Sequence, residues 1–250
     1  MTLTDDGVEL WRACLDLAQL SRVVAEYEAL APDSTDIPKH EPLVVFWLHV
    51  VGEKKKIVPL AQMPEMGALA RTVADMVRGL AEGELRLLET IIFNKPPGVS
   101  NTLGWHQDVS YFPFDPNNQL AVWIPFDVVT KDSGAMVYAL GSHKLGLRAS
   151  SDLHTGEVFK GEDRSPIDVT GRECRVMEMA PGDMLIHDGR TWHMSGPNTV
   201  AGRQRRGLSL RFLAGETRYL PRPGSAAAFL KQIDELQPGD LINDPAFPTL

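Results

Sequence analysis

Short apolar segments separated by turn sequences restrict the possible folds of this chain more than any other feature. The turns are rich in Pro, Gly, Asn and Asp, whose backbone and side-chain properties favour tight reversals. The apolar segments are short or alternate with polar residues, as β-strands do. Frequent short strands of this kind indicate a sandwich or a barrel. The predicted strands cover residues 43–51, 85–93, 120–129, 174–179, 183–187 and 207–213.

Two segments near the N-terminus have helical periodicity instead. Between Val8 and about Leu30, apolar residues recur at spacings of three and four, which predicts an amphipathic helix. A second helix is predicted to begin at Pro64, because proline suits the first turn of a helix. It should end near Gly79 and Gly83.

The composition of the chain indicates which kinds of binding partner are expected. The formal net charge of −8 disfavours binding to nucleic acid or to an anionic membrane, since both need clustered Lys and Arg. Cys14 and Cys174 are widely separated, so we expect no disulfide framework. The chain begins with acidic residues, and no apolar stretch approaches the roughly 20 residues of a membrane span. We therefore expect a cytoplasmic protein that acts on a small molecule, and the sequence predicts no oligomeric state.

The longest polar gap covers residues 145–167. Loops of this length are uncommon in compact domains unless they are functional or disordered. Two interpretations stay open at this point, a lid over a site and a disordered surface insertion.

The strongest candidate for chemistry is the segment around His106 and Asp108. On an extended strand, residues i and i+2 point to the same side, so these two side chains would lie together. His193 could supply a third ligand. Two histidines and one carboxylate suit non-haem Fe(II) and leave coordination positions open. The same set also suits zinc, and a His-x-Asp sequence can arise by chance.

An arginine-rich strand follows His193. Alternation from residue 205 to residue 212 places Arg205, Ser209 and Arg211 on one face and Leu208 on the other. The polar face could border a cavity, where an arginine would bind a carboxylate in bidentate fashion. A solvated edge strand is the alternative. Arg203 has the same parity as Arg205 and is a second candidate.

A series of short motifs follows one order along residues 85–213. It comprises Asn94-Lys95-Pro96-Pro97, His106-Gln107-Asp108, Tyr111-Phe112-Pro113-Phe114, Trp123, Ser133-Gly134, Gly141-Ser142-His143-Lys144, Pro181-Gly182-Asp183, His193-x-Ser195-Gly196-x-Asn198 and the strand 205–212. In this order, the motifs resemble the phytanoyl-CoA dioxygenase family of Fe(II)- and 2-oxoglutarate-dependent oxygenases.

The resemblance implies a mainly β protein with a double-stranded β-helix, the cupin-like jelly roll, flanked by N-terminal α-helices. It also implies that Fe(II) binds the catalytic triad and that 2-oxoglutarate and O₂ are cosubstrates. By the same resemblance, Arg205 would bind the distal carboxylate of 2-oxoglutarate, and three further side chains would line its pocket. A family lysine that reaches 2-oxoglutarate would lie within residues 54–56. The implied triad is His106, Asp108 and His193, and the implied pocket residues are Gln107, Trp123 and Ser195.

These inferences combine into one expected organisation. Residues 1–250 would form a single dioxygenase domain, with a helical layer over about 1–83, a jelly roll over about 84–213 and a tail over 214–250. The enzyme would hydroxylate or otherwise oxidise an unactivated C–H bond of a small molecule, releasing succinate and CO₂. Two alternatives stay open, a jelly roll that binds a metal or ligand without oxidation and a zinc hydrolase.

Overall fold

A computed structural model of the chain describes residues 1–30, 43–48, 56–98, 102–223 and 236–250, and the statements below concern these residues. Three α-helices are present: α1 (Leu3–Asp6), α2 (Leu17–Ala29) and α3 (Pro64–Val77). The strands are β1 (Val8–Trp11), β2 (Leu43–Leu48), β3 (Lys56–Pro59), β4 (Leu85–Lys95), β5 (Leu103–His106), β6 (Phe114–Asp115), β7 (Gln119–Pro125), β8 (Met136–Ala139), β9 (Cys174–Met177), β10 (Met184–Asp188), β11 (His193–Ser195), β12 (Arg205–Ala214) and β13 (Arg218–Tyr219).

Two antiparallel sheets form the body of the protein and confirm the predicted mainly β jelly roll. The larger sheet has the order β1-β10-β7-β12-β4-β2-β3, in which only β2 and β4 pair in parallel. The smaller sheet has the order β5-β11-β8-β9. Most neighbouring strands are distant in sequence, and only the pairs β2–β3 and β8–β9 are consecutive along the chain. β6 and β13 form a separate two-stranded ribbon.

The outer face of the large sheet carries the main hydrophobic core. Alternate residues of β12, Leu208, Leu210 and Phe212, are fully buried against it. Helices α2 and α3 cover this face through buried residues such as Val23 and Val73. Because side chains alternate along a strand, the intervening residues of β12 point to the opposite face, toward the small sheet.

The helix predicted to begin at Val8 is wrong in its first part. Val8–Trp11 is the edge strand β1, which pairs with β10. Gly7 adopts a left-handed conformation (φ 77°) that ends α1, and Asp16 starts α2 by accepting hydrogen bonds from the backbone N–H groups of Ala18 and Gln19. The helical spacing therefore holds only after Asp16. The second predicted helix is confirmed as α3, with proline in its first turn.

The predicted strands correspond to β2, β4, β7, β9, β10 and β12, with ends that differ by a few residues. Residues 49–51 of the first one lie outside the described residues. The region expected to be a helical layer also holds β1, β2 and β3. The sequence pattern also missed several other strands. Each is very short, so it contains too few residues for an alternating apolar pattern to be recognised. They are β5, β6, β8, β11 and β13.

The described part of the tail packs on the end of β4. Leu250 donates its backbone N–H to Leu85, and Leu87 donates its N–H to Pro248. Ile242 and Phe247 are buried in a second hydrophobic cluster. None of the helices in the described part of the chain has the length and apolar character needed to cross a bilayer.

Asp183 connects the N-terminal segment to the turn before β10 through hydrogen bonds to its carboxylate. Its carboxylate accepts hydrogen bonds from the backbone N–H groups of Ala13 and Ala180 and from the Arg12 guanidinium. Burial alone would raise the pKa of this carboxyl, but these donors hold it below its ordinary value. We expect Asp183→Asn to lower the free energy of unfolding at neutral pH by about 1–3 kcal/mol, because a buried acceptor network is broken.

The pH dependence of this effect follows from the lowered pKa. A carboxyl whose pKa is lower in the folded state stabilises the protein fully above its unfolded pKa, and that stabilisation is lost as the pH falls. The difference between wild type and Asp183→Asn should therefore shrink as the pH drops below 3.8, the ordinary value. Urea unfolding across pH measures it, with the exposed Asp163→Asn as the control. A difference that stays constant with pH would contradict this role.

Candidate metal centre

The two histidines of the predicted triad lie side by side because their strands pair. His106 ends β5, His193 begins β11, and the two residues are direct partners in the ladder. Their ring centroids are 4.1 Å apart. The extended strand predicted to run through Asp108 ends at His106, and Asp108 instead starts a short 3-10 helix. The turn still directs the Asp108 carboxylate to both imidazoles.

The three side chains form a compact, buried set of ligand atoms. One oxygen of Asp108, Oδ1, lies 3.8 Å from Nε2 of His106 and 3.8 Å from Nε2 of His193. One ligand atom from each residue lies within 4.8 Å of those of the other two. Nδ1 of His106 is 2.7 Å from the Gly104 carbonyl, and Nδ1 of His193 is 2.9 Å from the Thr191 carbonyl. These contacts orient each ring so that Nε2 is available to a metal.

A second layer of side chains fixes the Asp108 carboxylate. Arg211 donates from Nη2 to Oδ1 at 2.8 Å, and Nε2 of His187 lies 3.2 Å from Oδ2. Tyr138 contacts the other ring nitrogen of His187 at 3.1 Å. His187 is therefore a neighbour of the triad and not one of its three clustered ligands.

The surroundings of the triad shift the pKa values of its three residues in the directions that favour binding of a cation. Burial would raise the pKa of the Asp108 carboxyl, but Arg211 and the imidazoles hold it well below its usual range. Burial lowers the pKa of His106, and burial together with His106 lowers that of His193 well below its ordinary value. The set is thus an ionised carboxylate with two neutral imidazoles, the protonation state that metal binding requires. Two histidines and one carboxylate that bind one face of the metal, and leave its other coordination positions open, fit Fe(II).

A cavity of about 410 Å³, including the open space at its mouth, borders the triad at His106 and His193, and we call it the Arg205 lobe. Arg205 is buried, donates from Nη2 to the Gly134 carbonyl at 2.8 Å and lies over the Trp123 ring. Its Nε has no hydrogen-bond partner among the described residues. Burial lowers the pKa of Arg205 to about 10, which still leaves it charged. A buried guanidinium with an unused donor calls for an anionic ligand.

The structure separates the candidate arginines. Arg203 is exposed, whereas Arg205 lines the lobe. Arg206 points away and forms ion pairs with Asp127 and Glu28. The parity of the strand therefore places the 205 side chain in the cavity, as the sequence pattern indicated.

Lys95 is a site residue that the sequence analysis did not select. It pairs with Arg205 across the β4–β12 ladder and is fully buried. Its side-chain nitrogen, Nζ, donates to Ser195 Oγ at 2.8 Å and also to the Gly196 carbonyl. Burial lowers its pKa to about 6. The family resemblance implied a cosubstrate lysine within residues 54–56, of which the structure describes only the backbone of Lys56.

The three predicted pocket residues differ in position. Trp123 and Ser195 both line the Arg205 lobe. Gln107 is buried beside it, where its amide bonds to the carbonyls of Gly146 and Arg190 and to the N–H of Arg148. The Gln107 amide thus joins the metal-binding segment to the chain that follows Leu145. Direct contact between Gln107 and a cosubstrate stays a prediction.

Gly207 makes room for the tryptophan of the lobe. A Cβ at this position would lie 2.2 Å from Cζ2 of Trp123, closer than any side-chain contact allows. The Trp123 indole is fully buried. The absence of a side chain on β12 therefore permits the indole to lie flat beside Arg205.

A second cavity, of about 530 Å³ including the open space at its mouth, adjoins the first at His106 and Arg211, and we call it the Glu89 lobe. The polar gap 145–167 contributes to it, because Leu153 lines the cavity. The Leu153 carbonyl accepts the Gly104 N–H at 2.7 Å, and Tyr111 donates its hydroxyl to the Ser151 carbonyl at 2.7 Å. This segment covers part of the site, as a lid would.

Comparison with known proteins identifies the family. The model of the phytanoyl-CoA dioxygenase (PhyH) family matches residues 5–207, so the chain belongs to this family. A probable alpha-ketoglutarate-dependent hypophosphite dioxygenase of Stutzerimonas stutzeri is 29% identical over 163 residues, covering 62% of this chain and 57% of that protein. Human peroxisomal phytanoyl-CoA dioxygenase is 26% identical over 148 residues, covering 56% of this chain and 42% of that protein. The matched region thus spans about half the length of these curated relatives.

Solved structures share the fold over nearly the full length. The alpha-ketoglutarate-dependent epimerase SnoN from nogalamycin biosynthesis has a TM-score of 0.72 and 21% identity, covering 99% of this chain and 95% of that one. The alpha-ketoglutarate-dependent carbocyclase SnoK from the same biosynthesis has a TM-score of 0.70 and 21% identity. The match covers 98% of this chain and 92% of SnoK. At this identity the likeness supports the jelly-roll fold.

Substitution of the triad tests the metal site directly. We expect His106→Ala and His193→Ala to abolish stoichiometric Fe(II) binding, because each removes one of three ligands. His187→Gln removes an imidazole that supports the Asp108 carboxylate and is not one of the three clustered ligands, so it should weaken binding by about 10–100-fold without abolishing it. Anaerobic equilibrium dialysis with Fe(II) measures both effects.

The exposed His154→Ala serves as the control in this series. Undiminished Fe(II) binding by His106→Ala, or equal losses in all four variants, would contradict the assignment of the ligands.

Proposed function

We propose that this protein is an Fe(II)- and 2-oxoglutarate-dependent dioxygenase that hydroxylates or otherwise oxidises an unactivated C–H bond of a small molecule. Succinate and CO₂ would be released from 2-oxoglutarate. One observation carries this proposal: a buried triad of two imidazoles and one carboxylate lies beside a cavity lined by the buried Arg205, whose Nε donor has no hydrogen-bond partner among the described residues. Family membership and the relatives named above support the same reaction class.

The residues present fit both groups. His106, Asp108 and His193 would hold Fe(II), which together with 2-oxoglutarate supplies the oxidation of the C–H bond when bound. Arg205 would bind the distal carboxylate of 2-oxoglutarate through its guanidinium, since a buried arginine presents two donors to a carboxylate. Trp123 and Ser195 would form the walls of that site.

The chain's own contribution is orientation and exclusion of water. The carbonyls of Gly104 and Thr191 fix the two imidazole rings, and Arg211 and His187 fix the carboxylate. Burial of all three ligands keeps water from the reacting centre, which protects a reactive oxidation from side reactions. Coverage by the segment around Leu153 serves the same purpose.

Arg205 also separates this proposal from the two alternatives. A zinc hydrolase or a passive metal-binding jelly roll would use the triad, but neither requires a buried arginine in the adjoining lobe. Metal content alone does not decide between iron and zinc, because zinc binds such sites with higher affinity. The discriminating property is binding of 2-oxoglutarate to the iron-loaded protein.

An anaerobic titration with 2-oxoglutarate provides the test. The Fe(II)-loaded protein should develop a saturable visible charge-transfer band. Arg205→Ala should raise the apparent Kd for 2-oxoglutarate by roughly 30-fold or more, since a charge-assisted, desolvated contact of at least 2 kcal/mol is lost. Arg203→Ala is the matched control, because Arg203 is exposed and should leave the titration unchanged.

The absence of any band in the wild type with iron bound would favour the non-oxidative alternatives. An equal effect of both arginine substitutions would remove Arg205 from the proposed role and leave the reaction class to be tested separately by succinate release.

A further inference from the structure

We propose that Gln107 is a positioning residue that couples metal binding to docking of the segment that covers the site. We call residues 145–167 the covering segment and residues 104–111, which include His106 and Asp108, the metal segment. This inference rests on the proposed function, because the metal is the one assigned there to the triad. The role requires no contact between Gln107 and either the substrate or the cosubstrate.

Gln107 lies between two metal ligands in the sequence, and its side-chain amide is buried and hydrogen-bonded on both sides. Nε2 donates to the Gly146 carbonyl at 3.0 Å and to the Arg190 carbonyl at 2.7 Å. Oε1 accepts the backbone N–H of Arg148 at 2.7 Å. Both hydrogens of the amide and its oxygen are therefore used within the protein. Because Gly146 and Arg148 belong to the covering segment, the amide connects that segment directly to the metal segment.

Two further side chains of the metal segment bind the backbone of the covering segment. Ser110 donates its hydroxyl to the Arg148 carbonyl at 3.0 Å. Tyr111 donates its hydroxyl to the Ser151 carbonyl at 2.7 Å. Both residues belong to the short 3-10 helix that begins at Asp108. This helix therefore carries one metal ligand and two of the contacts that hold the covering segment in place.

The strand part of the metal segment makes the same kind of connection. Gly104 donates its backbone N–H to the Leu153 carbonyl at 2.7 Å. The carbonyl of the same glycine lies 2.7 Å from Nδ1 of His106 and orients that imidazole. Leu153 in turn lines the Glu89 lobe. One backbone residue thus contacts both a metal ligand and the part of the covering segment that borders the cavity.

The covering segment is folded on itself, so docking of its first half also positions the rest. Glu162 accepts hydrogen bonds from the backbone N–H and the hydroxyl of Ser150, at 3.1 and 3.0 Å. Arg164 donates from Nε to the other oxygen of Glu162 at 2.6 Å. The exposed residues 154–161 lie between these two ends. Their position therefore follows that of the docked half, residues 146–153.

The place of Gln107 in the sequence makes it the coupling residue of this network. Metal binding fixes His106 and Asp108, the residues on either side of it, at positions set by the ion. The amide between them is then held where it meets Gly146 and Arg148. A ligand that favours the docked state is itself bound more tightly in that state, by the same factor. Docking of the covering segment therefore strengthens metal binding in return.

Amide hydrogen exchange tests the coupling without any turnover. Mass spectrometry follows exchange in peptides from both segments, in anaerobic protein with and without Fe(II). In the wild type, Fe(II) should slow exchange in residues 146–153 by about fivefold or more, the lower end of typical couplings between sites. Gln107→Met keeps the length of the side chain and loses its amide. In this variant Fe(II) should slow exchange in the metal segment only.

Equilibrium dialysis provides the reciprocal measurement. Gln107→Met should raise the Kd for Fe(II) by the same factor by which Fe(II) slows exchange in residues 146–153 of the wild type. A glutamine with only a structural role would lower protection equally with and without metal, and would leave the effect of Fe(II) on exchange unchanged.

Gln119→Met is the matched control. Gln119 is also a buried glutamine, but its amide donates to Asn117, outside both segments. The control should keep the full effect of Fe(II) on exchange in residues 146–153. An effect of Fe(II) that is absent in the wild type, that persists in Gln107→Met, or that is lost equally in Gln119→Met would overturn the proposal.

Gln107→Glu keeps the test decisive if thermal unfolding shows that Gln107→Met is unstable. The carboxylate retains an acceptor for the Arg148 N–H but has no hydrogen to donate to the carbonyls of Gly146 and Arg190. The effect of Fe(II) on exchange in residues 146–153 should therefore fall in this variant as well. An undiminished effect would contradict the role of the amide.

The same samples separate this inference from the proposed function. The visible band of the Fe(II)–2-oxoglutarate complex reports on the reaction class, and hydrogen exchange reports on docking. A band without slowed exchange in the covering segment overturns only the inference about Gln107. Slowed exchange that depends on Gln107, without a band, supports the coupling and overturns only the proposed reaction. Failure of the wild type to bind Fe(II) overturns both.

Discussion

The alternation of side chains along β12 is the constraint on which the rest of the structure depends. Leu208, Leu210 and Phe212 bury one face of the strand beneath the helices. Arg205 and Arg211 necessarily point the other way, into the two lobes around the triad. A strand that served only the core could carry any residue at these intervening positions. Here one backbone segment stabilises the fold and also directs two cations, six residues apart, to the cavities that border the triad.

Much of the fold could be predicted from local sequence, because its long strands have strong apolar patterns and α3 begins at a proline. The failures have local physical causes. Val8–Trp11 fits a helical spacing, yet Gly7 and Asp16 impose chain boundaries that periodicity ignores. Short strands such as β11 owe their existence to partners in the sheet, since three residues carry no periodic signal of their own.

The candidate site was predictable where its residues are close in sequence or match a family motif. His106 and Asp108 are two residues apart, and family motifs indicated His193 and Arg205. Lys95 and Glu89 were missed as site residues because nothing local connects them to Arg205 and Arg211, which strand alternation had placed on one polar face. They meet only through the β4–β12 register, in which Lys95 pairs with Arg205 and Glu89 with Arg211. An antiparallel pairing of these two strands, had it been predicted, would have placed all four charged side chains on one face.

Gly207 and Trp123 have a consequence for how such a site can change. The indole fills the volume that any side chain on residue 207 would need. The depth of the Arg205 lobe is therefore determined by two positions on neighbouring strands and not by one. Substitutions at either position alone incur a steric or cavity cost, whereas a compensating pair does not. Divergence of this lobe is consequently epistatic: the order in which the two mutations occur decides whether the intermediate protein carries a steric clash or a cavity.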